Sequence, residues 1–200
     1  VDGRALRVDL RARPFGQSGA VVTSLAALED YYNEQRRNWE RYAMVKSRVI
    51  PYPGKSNTEH LLFTQLIRPF VYRRYLDYSA IDALRKMKLL INQEARRLGK
   101  RLNVKLGVGG IREIEFVAQV FQLIRGGREP EFQTRSLVEA LQVAQQFKVL
   151  DAYVVTELQA CYAWLRKLEH AIQQINDEQT QSLPACELNQ ARLVAICGAK

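Results

Sequence analysis

At 200 residues, with 47% hydrophobic and 26% charged side chains, the chain is long enough to bury a core and has no compositional mark of a fibrous or low-complexity protein. A formal net charge of +9 calls for an acidic or phosphate-bearing partner: nucleic acid, an acidic protein or a phosphorylated small molecule. No apolar run approaches the roughly 20 residues that a membrane span takes, so no membrane partner is expected. Val1-Asp-Gly-Arg4 does not resemble a secretory leader. Cys161, Cys186 and Cys197 are odd in number and lack a C-x-x-C pair, so reduced thiols in a cytoplasmic protein are expected rather than a disulfide or metal centre.

In chain order, residues 6–12 alternate in polarity and predict a strand. Leu6, Val8, Leu10 and Ala12 lie on one face, Arg7, Asp9 and Arg11 on the other. A turn over Pro14–Gly19 and a short extended piece at Val21 and Val22 follow. From there the pattern is helical. Ser24 is placed to cap a helix from about Leu25 to Val49, ended by Pro51-Tyr-Pro-Gly54. A second helix is predicted from about Thr58 to Tyr75, kinked at Pro69. A third runs from Asp77 or Ser79 to Leu98, and a fourth from Gly110 to Arg125, stopped by Gly126 and Gly127. A fifth covers Ser136–Phe147. The sixth, Asp151–Ile175, carries Val154, Leu158, Cys161, Leu165, Leu168, Ile172 and Ile175 at 4-3 intervals, the seam of an antiparallel bundle. A last helix begins at Glu187. The expected fold is mainly α: a helical bundle over 24–200, preceded over 1–23 by a small remnant of a β-sheet.

Lys105-Leu-Gly-Val-Gly-Gly-Ile-Arg-Glu-Ile-Glu-Phe116 is the segment richest in chemistry. Its glycines let the backbone turn sharply or approach a ligand, and the helix start behind them offers N–H groups to an anion. The helix is apolar nearly all round and so predicted buried. Yet Arg112, Glu115, Gln119 and Gln122 form one polar stripe along it. The stripe reads as the wall of a phosphate-handling cleft or as an Arg112–Glu115 ion pair inside a bundle core; spacing alone leaves both open. Trp39, Tyr42, Tyr162 and Trp164 sit at helical spacing and are expected in the core. His60 and His170 are isolated and are expected to pack or face solvent.

Three strings together resemble one family: Arg7-Val-Asp-Leu-Arg-Ala-Arg-Pro-Phe-Gly16, the Lys105–Phe116 stretch continuing to Pro130, and Ile175-Asn-Asp-Glu-Gln-Thr-Gln-Ser-Leu-Pro184, with Trp39–Arg48 as a fourth anchor. The chain resembles part of the bacterial bifunctional glutamine synthetase adenylyltransferase/adenylyl-removing enzymes. That resemblance implies two nucleotidyltransferase-like halves, each followed by a helical domain. One half removes AMP from a tyrosine of glutamine synthetase by phosphorolysis, giving ADP. The other half adds AMP from ATP. Gly109-Gly-Ile-Arg-Glu-Ile-Glu-Phe116 is similar to the removing half, where the other typically reads Gly-Gly-Ile-Thr-Asp-Ile-Glu-Phe.

By the same resemblance Asp9 matches the third of three Mg²⁺ carboxylates, making it the catalytic and metal-binding candidate. Arg7 and Arg11 steer phosphate or keep Asp9 ionised. Lys46, Arg48, Lys105, Gly109, Gly110, Arg112 and Glu115 are the candidate nucleotide and phosphate contacts. The implied partners are adenylylated glutamine synthetase, the PII signal protein, ADP or ATP, and phosphate. The Gly-Ser…Asp-x-Asp string that supplies the other two carboxylates occurs nowhere in the sequence. The chain is therefore expected to be a fragment, inactive by itself. The adenylylating half of the same family and a basic helical nucleic-acid-binding module are the alternatives.

Overall fold

The computed structural model describes residues 10, 13–35, 37–50, 62–74, 78–97 and 102–198. The predicted strand, including Arg7, Asp9 and Arg11, lies outside them apart from Leu10. So do the Pro51–Gly54 helix stop and His60. The described residues are mainly α-helical, and among them β pairing is confined to one antiparallel bridge, Asn103 to Ser182. Val21 and Val22 are bends rather than an extended strand.

Helix α1 spans Leu25–Gln35 and begins as predicted, with the Ser24 hydroxyl accepting the Ala27 N–H at 3.2 Å. It does not continue to Val49. Arg37 is extended, and a second helix, α2, runs over Asn38–Met44. The break turns α2 so that two charged residues are buried: Glu40 accepts the Tyr31 hydroxyl, while Arg41 donates to the Phe70 and Val71 carbonyls at 3.2 and 3.0 Å. Burial of such groups is costly unless they are hydrogen-bonded. Glu40 is bonded through one oxygen while its Oε2 has no partner among the described residues, and these tertiary bonds override the helical periodicity of the sequence.

The second predicted helix is also shorter. A π-helical turn, Leu62–Ile67, passes into the four-residue α3, Arg68–Val71, which ends when the Tyr72 N–H returns to the Arg68 carbonyl at 2.8 Å. Pro69 therefore stands in the first turn of a helix, where its missing N–H leaves no bond unmade, rather than kinking a long one.

The later helices follow the sequence closely: α4 Tyr78–Arg97, α5 Ile111–Arg125, α6 Leu137–Gln146, α7 Ala152–Asn176 and α8 Glu187–Cys197. Ser136 caps α6 by accepting the Glu139 N–H. Asp177, in the left-handed region, ends α7, and Gly198 ends α8.

Helix α5 is the axis of the molecule. It contributes Leu123 to a cluster with Tyr31, Phe70, Val71 and Leu84, Ile111 to one with Leu168, Ile172 and Leu193, and Ile114 and Ala118 to one with Leu141 and Val155. One helix facing three clusters accounts for its near-continuous apolar surface. The α7 seam holds at most of its predicted positions: Leu158, Leu165, Leu168, Ile172 and Ile175 all pack into the clusters. Two positions differ: Val155, not Val154, is buried at the start, and Tyr162 packs inward where Cys161 is exposed. Glu169 is buried on the same inner line, between Leu165 and Ile172. Trp39 and Trp164 are exposed, contrary to expectation, while Tyr42 and Tyr162 pack against the clusters.

Candidate functional site

The glycine turn is built by Asn103. Its side-chain oxygen accepts the N–H groups of Lys105 and Leu106 at 3.1 and 2.8 Å, and its carbonyl accepts that of Gly107 at 2.7 Å. A strap holds the turn from outside: Val104 donates to the Gln181 carbonyl at 2.8 Å and Leu183 to the Leu102 carbonyl at 2.9 Å. Gly109 adopts φ +72°, a conformation open to glycine without penalty. Gly110 caps α5 in extended conformation, and a Cβ there would lie 2.6 Å from the Val104 carbonyl oxygen.

The N–H groups expected to face an anion are occupied from within. Gly110 donates to Gly107, Ile111 to Val104, Arg112 to Lys105 and Glu113 to Gly110, all at 2.9–3.1 Å. The Gly109 N–H is taken by the Glu113 carboxylate at 2.9 Å. A tight turn needs these bonds to close, so the helix start carries its own carboxylate and carbonyl caps.

Positive charge gathers here on side chains instead. Lys46, just beyond α2, lies 2.6 Å from Glu115. Lys88 of α4 lies 2.7 Å from Glu113 and 5.4 Å above the Phe116 ring. Lys105 lies 3.5 Å from Glu169, whose other oxygen takes Arg166 at 2.5 Å. Three lysines from three elements thus converge on carboxylates of α5 and α7, with Arg112 exposed beside them.

Lys88 first, and the Gly109 N–H with it, hold the Glu113 carboxyl below its ordinary value against the effect of burial. Tyr42 is pushed up to about 12 by burial, with Glu115 adding to the rise and Arg112 opposing it. Burial also raises Tyr162, with Glu115 next in effect. Glu115 is therefore within electrostatic reach of a phenol of α2 and a phenol of α7.

The structure brings Lys46 and Glu115 together and sets Lys105, Gly109, Gly110 and Arg112 on the adjoining turn. Arg48 is exposed two residues beyond Lys46. No Arg112–Glu115 ion pair forms, because Glu115 is taken by Lys46. The polar stripe also splits. Gln122 is buried and donates to the Phe132 and Thr134 carbonyls at 3.1 and 2.6 Å, fastening the loop after α5. Gln119 is buried as well, so only Arg112 and Glu115 reach the surface end.

Lys88, Glu113, Arg166 and Glu169 were not singled out as site residues from the sequence. The signal for Glu169 was its place between Leu165 and Ile172 on the inner line of α7. Two cavities, of about 250 Å³ between α1 and α3 and about 300 Å³ between α7, the 178–186 loop and α8, are lined by none of these residues.

Residues 85–200 match the family model described as GlnD PII-uridylyltransferase, and residues 1–61 match that described as Glutamate-ammonia ligase adenylyltransferase. Both models describe nucleotidyltransferases, and that is the class to which the helical bundle and its basic turn attach. The chain is also 56% identical over 195 residues to a bifunctional glutamine synthetase adenylyltransferase/adenylyl-removing enzyme of Idiomarina loihiensis, an alignment covering 98% of this chain and 20% of that relative's length. The chain belongs to the family of bifunctional glutamine synthetase adenylyltransferase/adenylyl-removing enzymes.

Proposed function

We propose that the chain forms the helical wall on the phosphate side of an adenylyl-removing active site, where AMP is released from adenylylated glutamine synthetase with phosphate as acceptor and ADP as product, in regulation of nitrogen assimilation. The observation that carries this is the gathering of Lys46, Lys88, Lys105, Arg112 and Arg166 around the start of α5, within a chain 56% identical to a relative whose name includes both activities. Ammonium and guanidinium groups stabilise phosphoryl oxygens as charge develops on them. The sequence Gly109-Gly-Ile-Arg-Glu-Ile-Glu-Phe116 supports the removing half over the adenylylating one.

Glutamine synthetase and the PII signal protein are the partners on this reading, and the setting is the cytoplasm. No helix of the described residues is long and apolar enough to cross a membrane. Mg²⁺ belongs to the proposal through Asp9, outside the described residues. Among the described residues no three His, Cys, Asp or Glu side chains gather as metal ligands.

The test is made in a full-length family enzyme carrying these residues. Lys105→Ala and Arg112→Ala should lower phosphate-dependent release of AMP from adenylylated glutamine synthetase while leaving ATP-dependent adenylylation intact. Loss of adenylylation alone would assign the chain to the other half. Tight, strongly salt-sensitive binding of nucleic acid by the chain would favour a basic binding module instead.

A further inference from the structure

We infer that Glu169 is a positioning residue which, with Arg166, holds the Lys105 ammonium at the glycine turn in a state free to engage a phosphoryl oxygen. The inference rests on the phosphate-cleft reading above and adds to it a residue that touches no substrate.

Glu169 is 2% exposed on the inner line of α7, between Leu165 and Ile172. A carboxylate at that depth is expensive to keep charged unless it is paired. Arg166, one turn earlier on the same helix, already meets this need with a 2.5 Å bond to one oxygen. Lys105 is the second cation, and it stands differently. At 3.5 Å from the other oxygen it is attracted without a short hydrogen bond, and its side chain is 38% exposed.

Lys46 and Lys88 make the contrast. Both are in direct hydrogen bonds, at 2.6 and 2.7 Å, to Glu115 and Glu113. The root of Lys105 is fixed, since its N–H is held by Asn103 and its carbonyl by the Arg112 N–H. A pinned backbone, a loosely drawn ammonium and a carboxylate already shared with arginine together give a cation that is aimed yet not consumed. The three charges sum to +1, which favours an incoming anion. Removing the carboxylate would leave Lys105 unguided and Arg166 without its partner.

The experiment titrates inorganic phosphate and ADP into the full chain and into Glu169→Gln, Lys105→Ala and the double variant, following affinity and the side-chain NMR resonance of Lys105. The expected result is binding about fivefold weaker in Glu169→Gln, with the double variant no weaker than Lys105→Ala, and a Lys105 resonance displaced by Glu169→Gln before any ligand is added. If Lys105→Ala binds like the parent chain, the phosphate-cleft reading itself fails. If Lys105→Ala weakens binding and Glu169→Gln changes neither affinity nor the Lys105 resonance, the cleft reading stands and the positioning role is overturned. Should Glu169→Gln not fold, Arg166→Gln serves in its place: Glu169 then draws Lys105 onto both oxygens, and an unmoved Lys105 resonance would refute the proposal.

Discussion

Lys46 and Glu115 are 69 residues apart in the chain and 2.6 Å apart in the structure, and their contact ties the end of α2 to the first turns of α5. The lysine is 38% exposed and the glutamate 19%, so the pair stabilises the fold by no more than about 1 kcal/mol. Glu115→Gln should therefore shift the urea midpoint only slightly. A loss above roughly 3 kcal/mol, the scale of a broken buried pair, would place the contact in the core and remove it from the candidate cleft.

Arg112 and Gln122 begin and end the same polar stripe and should respond oppositely. Arg112 is exposed and pairs with no carboxylate among the described residues. Arg112→Ala is expected to leave stability within about 0.5 kcal/mol while reducing AMP release in the full-length enzyme. Gln122→Ala abandons two carbonyls and should cost about 2–3 kcal/mol, measured by chemical denaturation.

The two adjacent glycines are distinguishable by alanine substitution. Gly109 has a positive φ but open space around it, so Gly109→Ala should cost roughly 1–2 kcal/mol. At Gly110 the new Cβ meets the Val104 and Gly107 carbonyl oxygens at 2.6 and 2.9 Å. Backbone atoms cannot swing aside, and Gly110→Ala should cost more, on the order of 3 kcal/mol. Comparing the thermal midpoints of the two variants tests the ranking; the reverse order would mean a different turn.

Glu113 predicts an acid dependence. Its folded pKa lies below the ordinary 4.5, chiefly because of Lys88, so its contribution is present above pH 4.5 and is lost as pH falls through the folded value. Glu113→Gln should be less stable than the parent at neutral pH, and the gap should close as pH drops below about 4.5. Urea denaturation at several pH values measures it. A gap independent of pH would mean that the carboxylate charge is not what caps Gly109.

The long helices were legible because α4 to α8 combine regular apolar spacing with local start and stop signals such as Ser136 and Gly126. The α1–α2 break was not, because its cause is tertiary: Tyr31 meets Glu40, and Arg41 reaches carbonyls of α3. Nothing in a window around Arg37 announces those partners. The α7 seam is legible at Leu158, Leu165, Leu168, Ile172 and Ile175, whereas apolar spacing by itself does not mark a charged Glu169 for burial, whose partner Lys105 comes from a distant turn. Within the site, Lys105, Gly109, Gly110, Arg112 and Glu115 were visible as one string. Lys88 and Glu169 come from distant helices and are joined to it only in three dimensions.

The bridge from Asn103 to Ser182 sets an order of assembly. Residues 102–104 cannot take their final hydrogen bonds until residues 181–183 have emerged and α7 has folded back to deliver them. Closing so wide a loop carries an entropic penalty that local helices escape. During synthesis the residues of α5 leave the ribosome early, while the bend before them waits for a segment made much later. A nascent chain stopped short of Ser182 would therefore contain the residues of α1 to α7 and still lack a finished mouth.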